Sequence, residues 1–143
     1  MNRDFSIQIG IQAPPERVWD VMRDVERWPE WTPTVTSVRL LDRGPLAEGS
    51  RAAIRQPKLP PAKWRVTGLD DADRSFTWVS RSPGASVIAH HRVEPAGSGS
   101  RATLSLHYAG PLGGLLAYLT RGLNQRYIAL EAGGLKRRSE SGC

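Results

Sequence analysis

Few side chains of this chain could exchange a proton with a bound molecule, and those few are far apart in the sequence. The candidates on predicted inward strand faces are Gln56, His91 and Tyr108. An imidazole or a phenol can act as general acid or base on a carbonyl group. A single inward histidine is more often a hydrogen-bonded core residue than a catalyst. The sequence therefore leaves both a catalytic and a structural interpretation of His91 open.

The other residues with chemical potential predict no metal, nucleotide or hydrolase site. His90 and His107 are expected near each other on the outer sheet face, without a carboxylate or cysteine to complete a metal site. The acidic run 70–73 lacks the glycine and distal glutamate of a calcium loop. The sequence contains no glycine-rich nucleotide loop, serine nucleophile elbow or His-Glu-x-x-His motif. No pair of carboxylates falls on a predicted inward face, which weighs against glycosidase-like chemistry. We therefore expect no cofactor and no metal.

Seven strands are predicted from the alternation of apolar and polar residues and from the turns between them. They are 5–11, 35–41, 51–56, 63–69, 75–80, 86–94 and 101–109. A helix opened by Pro14-Pro15 and a second short helix broken by Pro29 lie between the first two strands. Strands joined by short turns form an antiparallel sheet, so the predicted fold class is α+β.

Strand parity predicts which side chains face the interior. In the last strand Leu104, Leu106 and Tyr108 share the apolar face. A hairpin centred on Gly97-Ser98 places His91 on that same face. The other predicted inward residues are Val93, Trp64, Val66, Phe76, Trp78, Ala52, Ile54 and Gln56, with Arg51 and Arg55 facing outward. A register slip of one residue would exchange all of these assignments.

The segment Pro111 to Arg138 is predicted to form one long helix. Its apolar residues recur at steps of three and four, which makes one stripe. The stripe consists of Leu112, Leu115, Leu116, Leu119, Leu123, Tyr127 and Leu130. The inward faces of the strands supply the partner surface that such a stripe needs.

Part of this stripe is expected to border a gap that the sheet does not fill. The four leucines from Leu115 to Leu123 would then be cavity wall as well as core. Gly122 lowers helix stability by about 1 kcal/mol relative to alanine, which suggests that space is needed beside it. Any gate is expected where Gly113 and Gly114 meet the connection from Trp28 to Trp31.

Length and composition predict an ordinary globular domain, residues 1–139, with a frayed tail from Ser139 or residue 140 to Cys143. Cys143 is the only cysteine, so no internal disulfide is possible. The net charge of +6 comes from scattered arginines, which argues against a nucleic-acid partner. No apolar run is long enough for a membrane span, and no signal peptide is recognisable at the N-terminus. We expect a cytoplasmic monomer or homodimer.

Several motifs, taken in order, resemble the polyketide cyclase/dehydrase-like proteins of the START-like, or SRPBCC, superfamily. The opening residues 11–19, then Asp24 and Trp28-Pro29-Glu30-Trp31, resemble the start of these proteins. Later matching stretches are Gly49, Phe76-Thr77-Trp78, Gly84, His91-Arg92-Val93-Glu94-Pro95 and Gly110-Pro111-Leu112-Gly113. The resemblance covers nearly the whole chain. It implies a helix-grip fold, in which a seven-stranded antiparallel sheet wraps around the C-terminal helix and encloses an apolar cavity.

The predicted ligand-binding residues combine an aromatic and aliphatic lining with three polar groups. They are Trp28, Trp31, Ile54, Gln56, Trp64, Phe76, Trp78, His91, Leu106, Tyr108, Leu115, Leu116, Leu119 and Leu123. A few placed polar groups in an apolar lining are typical of ligand pockets. Trp19 is expected to be core. Trp28 and Trp31 lie in a proline-rich connection and are expected at the pocket mouth or in a lid.

Three functions remain open, because the superfamily hosts many activities on one fold. The first is binding of a hydrophobic small molecule such as a lipid, aromatic polyketide or isoprenoid. The second is a cyclase, aromatase or dehydrase that folds a reactive chain by cavity shape, with His91 or Tyr108 as acid or base. The third is a protein-partner role, like that of chaperone-associated or ribosome-associated relatives, through the basic outer sheet face.

Overall fold

The computed structural model describes residues 2–141, and these form seven strands, two α-helices and one 3-10 helix. The elements in chain order are β1 (Asp4–Ile11), α1 (Pro15–Arg23), the 3-10 helix (Val25–Glu30), β2 (Ser37–Leu40), β3 (Arg51–Arg55), β4 (Ala62–Asp70), β5 (Ser75–Ser82), β6 (Ala85–Ala96), β7 (Gly99–Ala109) and α2 (Gly113–Glu140). The predicted order of elements is confirmed, with the short helix around Pro29 being of the 3-10 type.

All seven strands form one antiparallel sheet in the order β1-β7-β6-β5-β4-β3-β2. Strands β2 to β7 are sequential neighbours, whereas the first strand, β1, pairs with the last, β7. Helix α2 packs mainly on β1 and β7. The predicted α+β helix-grip fold is confirmed.

Strand register places the predicted inward residues on the inner face. His91 lies opposite Leu104, and Val93 lies opposite Ala102. In β4 the pairing shifts between Val66 and Gly68, so that two residues oppose one of β5 there. Such a bulge changes the parity of the rest of the strand. The periodicity before the bulge gives the inward face correctly for Val66, which is 1% exposed.

The prediction that the leucine stripe of α2 faces the sheet is wrong, because a different side of the helix is turned inward. Leu115 is 49% exposed and Leu119 is 72% exposed, so neither faces the sheet. The buried face instead consists of Gly113, Gly114, Ala117, Asn124, Ile128, Ala132, Gly134, Leu135 and Ser139. Most of these residues are small, which lets the helix approach the sheet closely. Both stripes have a helical period, and the sequence pattern favoured the more apolar one.

The C-terminal end of α2 is ordered by specific contacts. Ser139 is fully buried, and the backbone N–H of Gln12 donates to Glu140 Oε2 at 2.8 Å. Arg17 Nη2 donates to the carbonyl of Arg138 at 3.1 Å. The prediction of a frayed tail is therefore wrong for Ser139 and Glu140, because both belong to the helix. Residues 142 and 143, including Cys143, lie outside the described residues.

The expected gate between the start of α2 and the Trp28–Trp31 connection is also wrong. A Cβ atom at Gly113 would lie 3.1 Å from the backbone carbon of Tyr108 and 2.8 Å from Arg3 Nη1, so this end packs against β7 and the residue before β1. The glycine that meets the connection is Gly134, near the opposite end of the helix. A Cβ atom there would collide with the carbonyl oxygen of Trp31.

Within residues 2–141, no helix is long and apolar enough to cross a membrane.

Replacement by alanine should have opposite effects on the free energy of unfolding at Gly122 and at Gly134. Gly134→Ala should lower the free energy of unfolding by at least about 2 kcal/mol, because its methyl group collides with the Trp31 backbone. Gly122→Ala should raise it by about 1 kcal/mol, because nothing lies within 4 Å of the added carbon. Urea denaturation of both variants measures the difference, and equal effects would contradict this packing.

Candidate functional site

His91 lies at the centre of a cluster of aromatic rings on the inner sheet face. Its ring stacks on Phe76 with the centroids 4.2 Å apart and the planes 9° apart. The rings of Trp28 and Trp78 lie 5.5 Å and 5.9 Å from it. Cross-strand pairing of His91 with Phe76 creates the stack. His91 is 5% exposed, so water has almost no access to it.

Burial lowers the pKa of His91 to about 3, an effect that the nearby polar backbone of Phe76 only partly offsets. The imidazole is therefore neutral near pH 7. Its Nδ1 atom is buried and makes no hydrogen bond with any described residue. A neutral, unpartnered ring nitrogen can donate to or accept from a bound molecule, depending on its tautomer.

Two indole nitrogens of the same cluster are also buried without a partner among residues 2–141. They are Nε1 of Trp31 and Nε1 of Trp64. Trp31 lies 5.7 Å from Trp28, and Trp64 lies 5.8 Å from Trp78, so each extends the cluster around His91. Buried polar groups in proteins are nearly always hydrogen-bonded. These three nitrogens are the polar atoms of the aromatic cluster that the described residues leave without a hydrogen-bond partner.

Trp19 and Trp28 show the contrasting, structural arrangement. Trp19 is 2% exposed, and its Nε1 donates to Asp71 Oδ1 at 2.9 Å, which confirms its predicted place in the core. Trp28 is 4% exposed, and its Nε1 donates to the carbonyl of Met22 at 2.9 Å. The expectation of Trp28 as a lid is therefore wrong, because its ring and its N–H are both used by the core. Trp31 is half-buried and remains at the edge of the cluster.

A second cluster of polar side chains, apart from the nitrogens around His91, surrounds the Tyr108 hydroxyl beside the first half of α2. Asn124 Nδ2 donates to the Tyr108 hydroxyl at 2.7 Å and to Thr120 Oγ1 at 3.0 Å. Since the hydroxyl accepts from Asn124, it keeps its own proton to donate. Phe5 and Ala117 are buried beside it.

His91 and Tyr108 lie at two separate positions on the inner face. His91 pairs with Leu104, which precedes Tyr108 by four residues on β7. Four residues of strand span about 13 Å. The two side chains therefore cannot act on the same carbonyl group.

A third cluster of polar side chains surrounds the carboxyl group of Glu131 on α2. Thr34 Oγ1 donates to Glu131 Oε1 at 3.0 Å and lies 2.9 Å from Thr32 Oγ1. Gln56 Nε2 donates to the carbonyl of Thr34 at 3.3 Å. Burial raises the pKa of Glu131 to about 7, and the bond from Thr34 only partly opposes this. Glu131 can therefore hold or release a proton near neutral pH.

One half-buried stripe of α2 runs past both the Tyr108 cluster and the Glu131 cluster. It consists of Leu116, Thr120, Leu123, Tyr127 and Glu131, at steps of four, three, four and four. The stripe flanks the buried face that packs on β1 and β7. Its C-terminal part reaches the end of β3, because the Tyr127 hydroxyl donates to the carbonyl of Pro57. This side of α2 is thus the half-buried boundary of the helix, and it contacts Pro57 after β3 and Thr34 before β2.

The predicted site residues divide into three groups in the structure. Ile54, Phe76 and Trp78 are buried in the core beside the half-buried Gln56, Trp64 and Leu106. Leu116 and Leu123 lie on the half-buried stripe, so their role as cavity wall stays a prediction. Leu115 and Leu119 lie on the solvent side of α2, because the helix turns its small residues inward.

Sequence reasoning missed Thr34, Thr120, Asn124 and Glu131. Asn124 and Glu131 differ by seven residues, so they lie near the same side of a helix. Polar residues at that spacing beside an apolar stripe were a usable signal. Thr34 carries no such signal in the sequence, because its partner, Glu131, is 97 residues away.

Comparison with known proteins gives the family. The family model described as polyketide cyclase/dehydrase and lipid transport matches residues 3–140. The chain belongs to this family. A protein of Streptomyces halstedii with a provisional assignment as polyketide cyclase is 33% identical over 90 residues, which are 61% of this chain and 71% of that protein.

Two solved structures share the fold. The Zhui aromatase/cyclase from Streptomyces sp. R1128 superposes with a TM-score of 0.81 at 15% identity, covering 96% of this chain and 93% of that one. The protein TTHA0849 from Thermus thermophilus superposes with a TM-score of 0.76 at 24% identity, covering 95% and 96%. At these identities the likeness shows the fold alone. Membership of the family supports a ligand-binding or cyclase role for the chain.

The raised pKa of Glu131 predicts a loss of stability as the pH rises toward neutral. Between about pH 4.5 and 7 the folded protein holds a proton that the unfolded chain has released, so the free energy of unfolding falls as pH rises. Glu131→Gln keeps an acceptor for Thr34 and should be more stable than the parent by about 2 kcal/mol at pH 8. The two should be alike at pH 4. Thermal denaturation across this range measures the difference.

Glu140→Gln is the matched control, because its partners Lys136 and Gln12 lower the pKa of Glu140 rather than raise it. This variant should lose stability near neutral pH relative to the parent and approach it in acid. A gain at pH 8 in both variants would contradict a specific role of the Glu131 carboxyl group.

The lowered pKa of His91 predicts an acid loss of stability. Between about pH 6.5 and 3 the unfolded chain binds a proton that the folded protein lacks, so the free energy of unfolding falls as pH falls. His91→Phe keeps a flat ring on Phe76 and should show a shallower fall in this window. His107→Gln, on the outer face, retains His91 and should keep the full fall. Equal acid profiles of both variants would contradict the buried neutral state of His91.

Proposed function

We propose that the protein binds a hydrophobic small molecule of the lipid, aromatic polyketide or isoprenoid type between α2 and the inner sheet face. The observation that carries this proposal is the set of three unpartnered nitrogens, on Trp31, Trp64 and His91, in one aromatic cluster. An indole N–H can only donate, so the ligand must bring an acceptor such as a carbonyl or hydroxyl oxygen. Aromatic planarity suits the stacked and tilted rings around His91.

The half-buried stripe of α2 supports the same proposal. Leu116 and Leu123 supply apolar surface, while Thr120 and Glu131 add polar groups. An apolar wall with a few oriented polar groups favours a ligand that is largely hydrocarbon with oxygen at defined positions.

A second candidate is a cyclase, aromatase or dehydrase activity, which family membership favours. The pKa of about 3 counts against His91 as the acid, since a neutral imidazole with so low a pKa has no acidic proton to give at neutral pH. Tyr108 is the better acid, because Asn124 donates to its hydroxyl and leaves its proton available. In this version an enol carbon of the substrate bonds to a ketone carbon, the ketone oxygen accepts the proton of Tyr108 as its C=O π bond breaks, and the enol proton returns to the Tyr108 phenolate.

Binding is tested with a dihydroxyanthraquinone as the aromatic probe and a long-chain fatty acid as the lipid probe. Tryptophan fluorescence should be quenched on titration of at least one probe, and native mass spectrometry should show one ligand per chain. Trp64→Phe keeps a ring but removes a free N–H, so affinity should fall about five- to tenfold with little change in stability. Absence of binding by any hydrophobic probe, or an unchanged affinity of Trp64→Phe, would contradict the proposed site.

Trp28→Phe is the matched control, because its N–H is already used by the carbonyl of Met22. It should lower stability by about 1 kcal/mol and leave affinity nearly unchanged. For the enzymatic candidate, Tyr108→Phe should abolish ring closure of a poly-β-ketone thioester, followed by liquid chromatography and mass spectrometry, while binding persists. Unchanged turnover in Tyr108→Phe would exclude Tyr108 as the acid.

A further inference from the structure

The large apolar side chains that are most exposed among residues 2–141 lie within eight consecutive residues. They are Leu112 (52%), Leu115 (49%), Tyr118 (42%) and Leu119 (72%). Together we call them the leucine ridge. Their spacing places them on one side of the start of α2, away from the sheet. Contiguous apolar surface of this kind commonly marks an interaction site.

The charge around the leucine ridge has one sign. Residues 111–130 contain Arg121 and Arg126 and no aspartate or glutamate. The Arg121 guanidinium lies 4.1 Å from the centroid of the Tyr118 ring, and its Nη1 donates to the Tyr118 carbonyl at 2.8 Å. The cation is therefore held at the edge of the ridge. Arg126 follows Leu119 by seven residues, so it continues the same side of the helix by two turns.

This charge pattern disfavours a second copy of the chain as the occupant. A two-fold interface on the ridge would bring the same surface of both copies together. Arg121 and Arg126 would then approach their symmetry mates without a carboxylate in residues 111–130 to compensate them. An anionic lipid surface satisfies both features, since leucines insert at the acyl boundary while arginines contact lipid phosphates.

We propose that the leucine ridge docks the protein peripherally on an anionic lipid surface. Leu116, next to Leu115 in the chain, packs against the buried cluster of Phe5, Tyr108 and Ala117. Docking thus places the Tyr108 end of the boundary between helix and sheet close to the lipid. The proposal goes beyond the proposed function, because docking depends on the outer side of α2 and not on the identity of an internal ligand.

Sedimentation of the full chain with two kinds of vesicle tests this proposal. One kind is phosphatidylcholine alone, and the other is equal parts of phosphatidylcholine and phosphatidylglycerol. The protein should bind the mixed vesicles at least tenfold more tightly, and added salt should weaken this binding. Equal binding to both kinds, or no binding to either, would overturn the proposal.

Two double variants locate the docking surface. Leu115→Gln with Leu119→Gln should reduce binding to mixed vesicles at least tenfold, with an unchanged melting temperature because both side chains are exposed. Lys63→Gln with Arg65→Gln removes two charges from an open basic groove on the outer sheet face and should retain most of the binding. Loss of binding in this second variant, with retention in the first, would assign docking to the sheet face and overturn the proposal.

Self-association is the remaining alternative for the ridge. Analytical ultracentrifugation of the parent and of Leu115→Gln with Leu119→Gln distinguishes it. A monomeric parent supports the proposal. A dimer that dissociates in the variant, without any loss of vesicle binding, would show that a second copy occupies the ridge.

Discussion

The close packing of α2 on the sheet is the constraint on which the rest of this protein depends. It is possible because the buried side of the helix is made largely of glycine and alanine, with Gly134 against the Trp31 backbone and Ala117 beside Tyr108. This packing sets the rotation of the helix. It turns Thr120, Tyr127 and Glu131 toward the half-buried boundary with the sheet and leaves the leucine ridge in solvent. The candidate site and the proposed lipid-docking surface are therefore two consequences of one helix rotation.

Desolvation is the second physical theme, and it gives the stability contributions of His91 and Glu131 opposite dependences on pH. Burial favours the neutral form of both His91 and Glu131. Stability is consequently lost as His91 is charged on acidification and as Glu131 is charged between about pH 4.5 and 7. Burying these two groups, and leaving two indole N–H groups without a partner among the described residues, lowers stability. That cost is consistent with the ligand site proposed above, where a bound molecule would complete the hydrogen bonds.

The aromatic residues divide by what their polar atoms do. Trp19 and Trp28 have partners for their N–H groups within the fold, so their contribution is fully structural. Trp31 and Trp64 have large apolar contacts and no partner for their N–H groups among the described residues. This difference matters more for function than burial does, because a satisfied donor has nothing left to offer a ligand.

The elements, their order and the inward strand faces follow from local sequence patterns. Local alternation decides strand parity, and turn residues decide where each strand ends, so His91 and Tyr108 are correctly predicted on the inner face. The rotation of α2, the buried position of Trp28 and the partners of Glu131 follow only from the assembled fold. Each of these depends on contacts between distant segments, such as the bond from Thr34 to Glu131 across 97 residues. Local periodicity favours the most apolar stripe of a helix as its buried side. Close packing on the sheet instead buries the stripe with the smallest side chains.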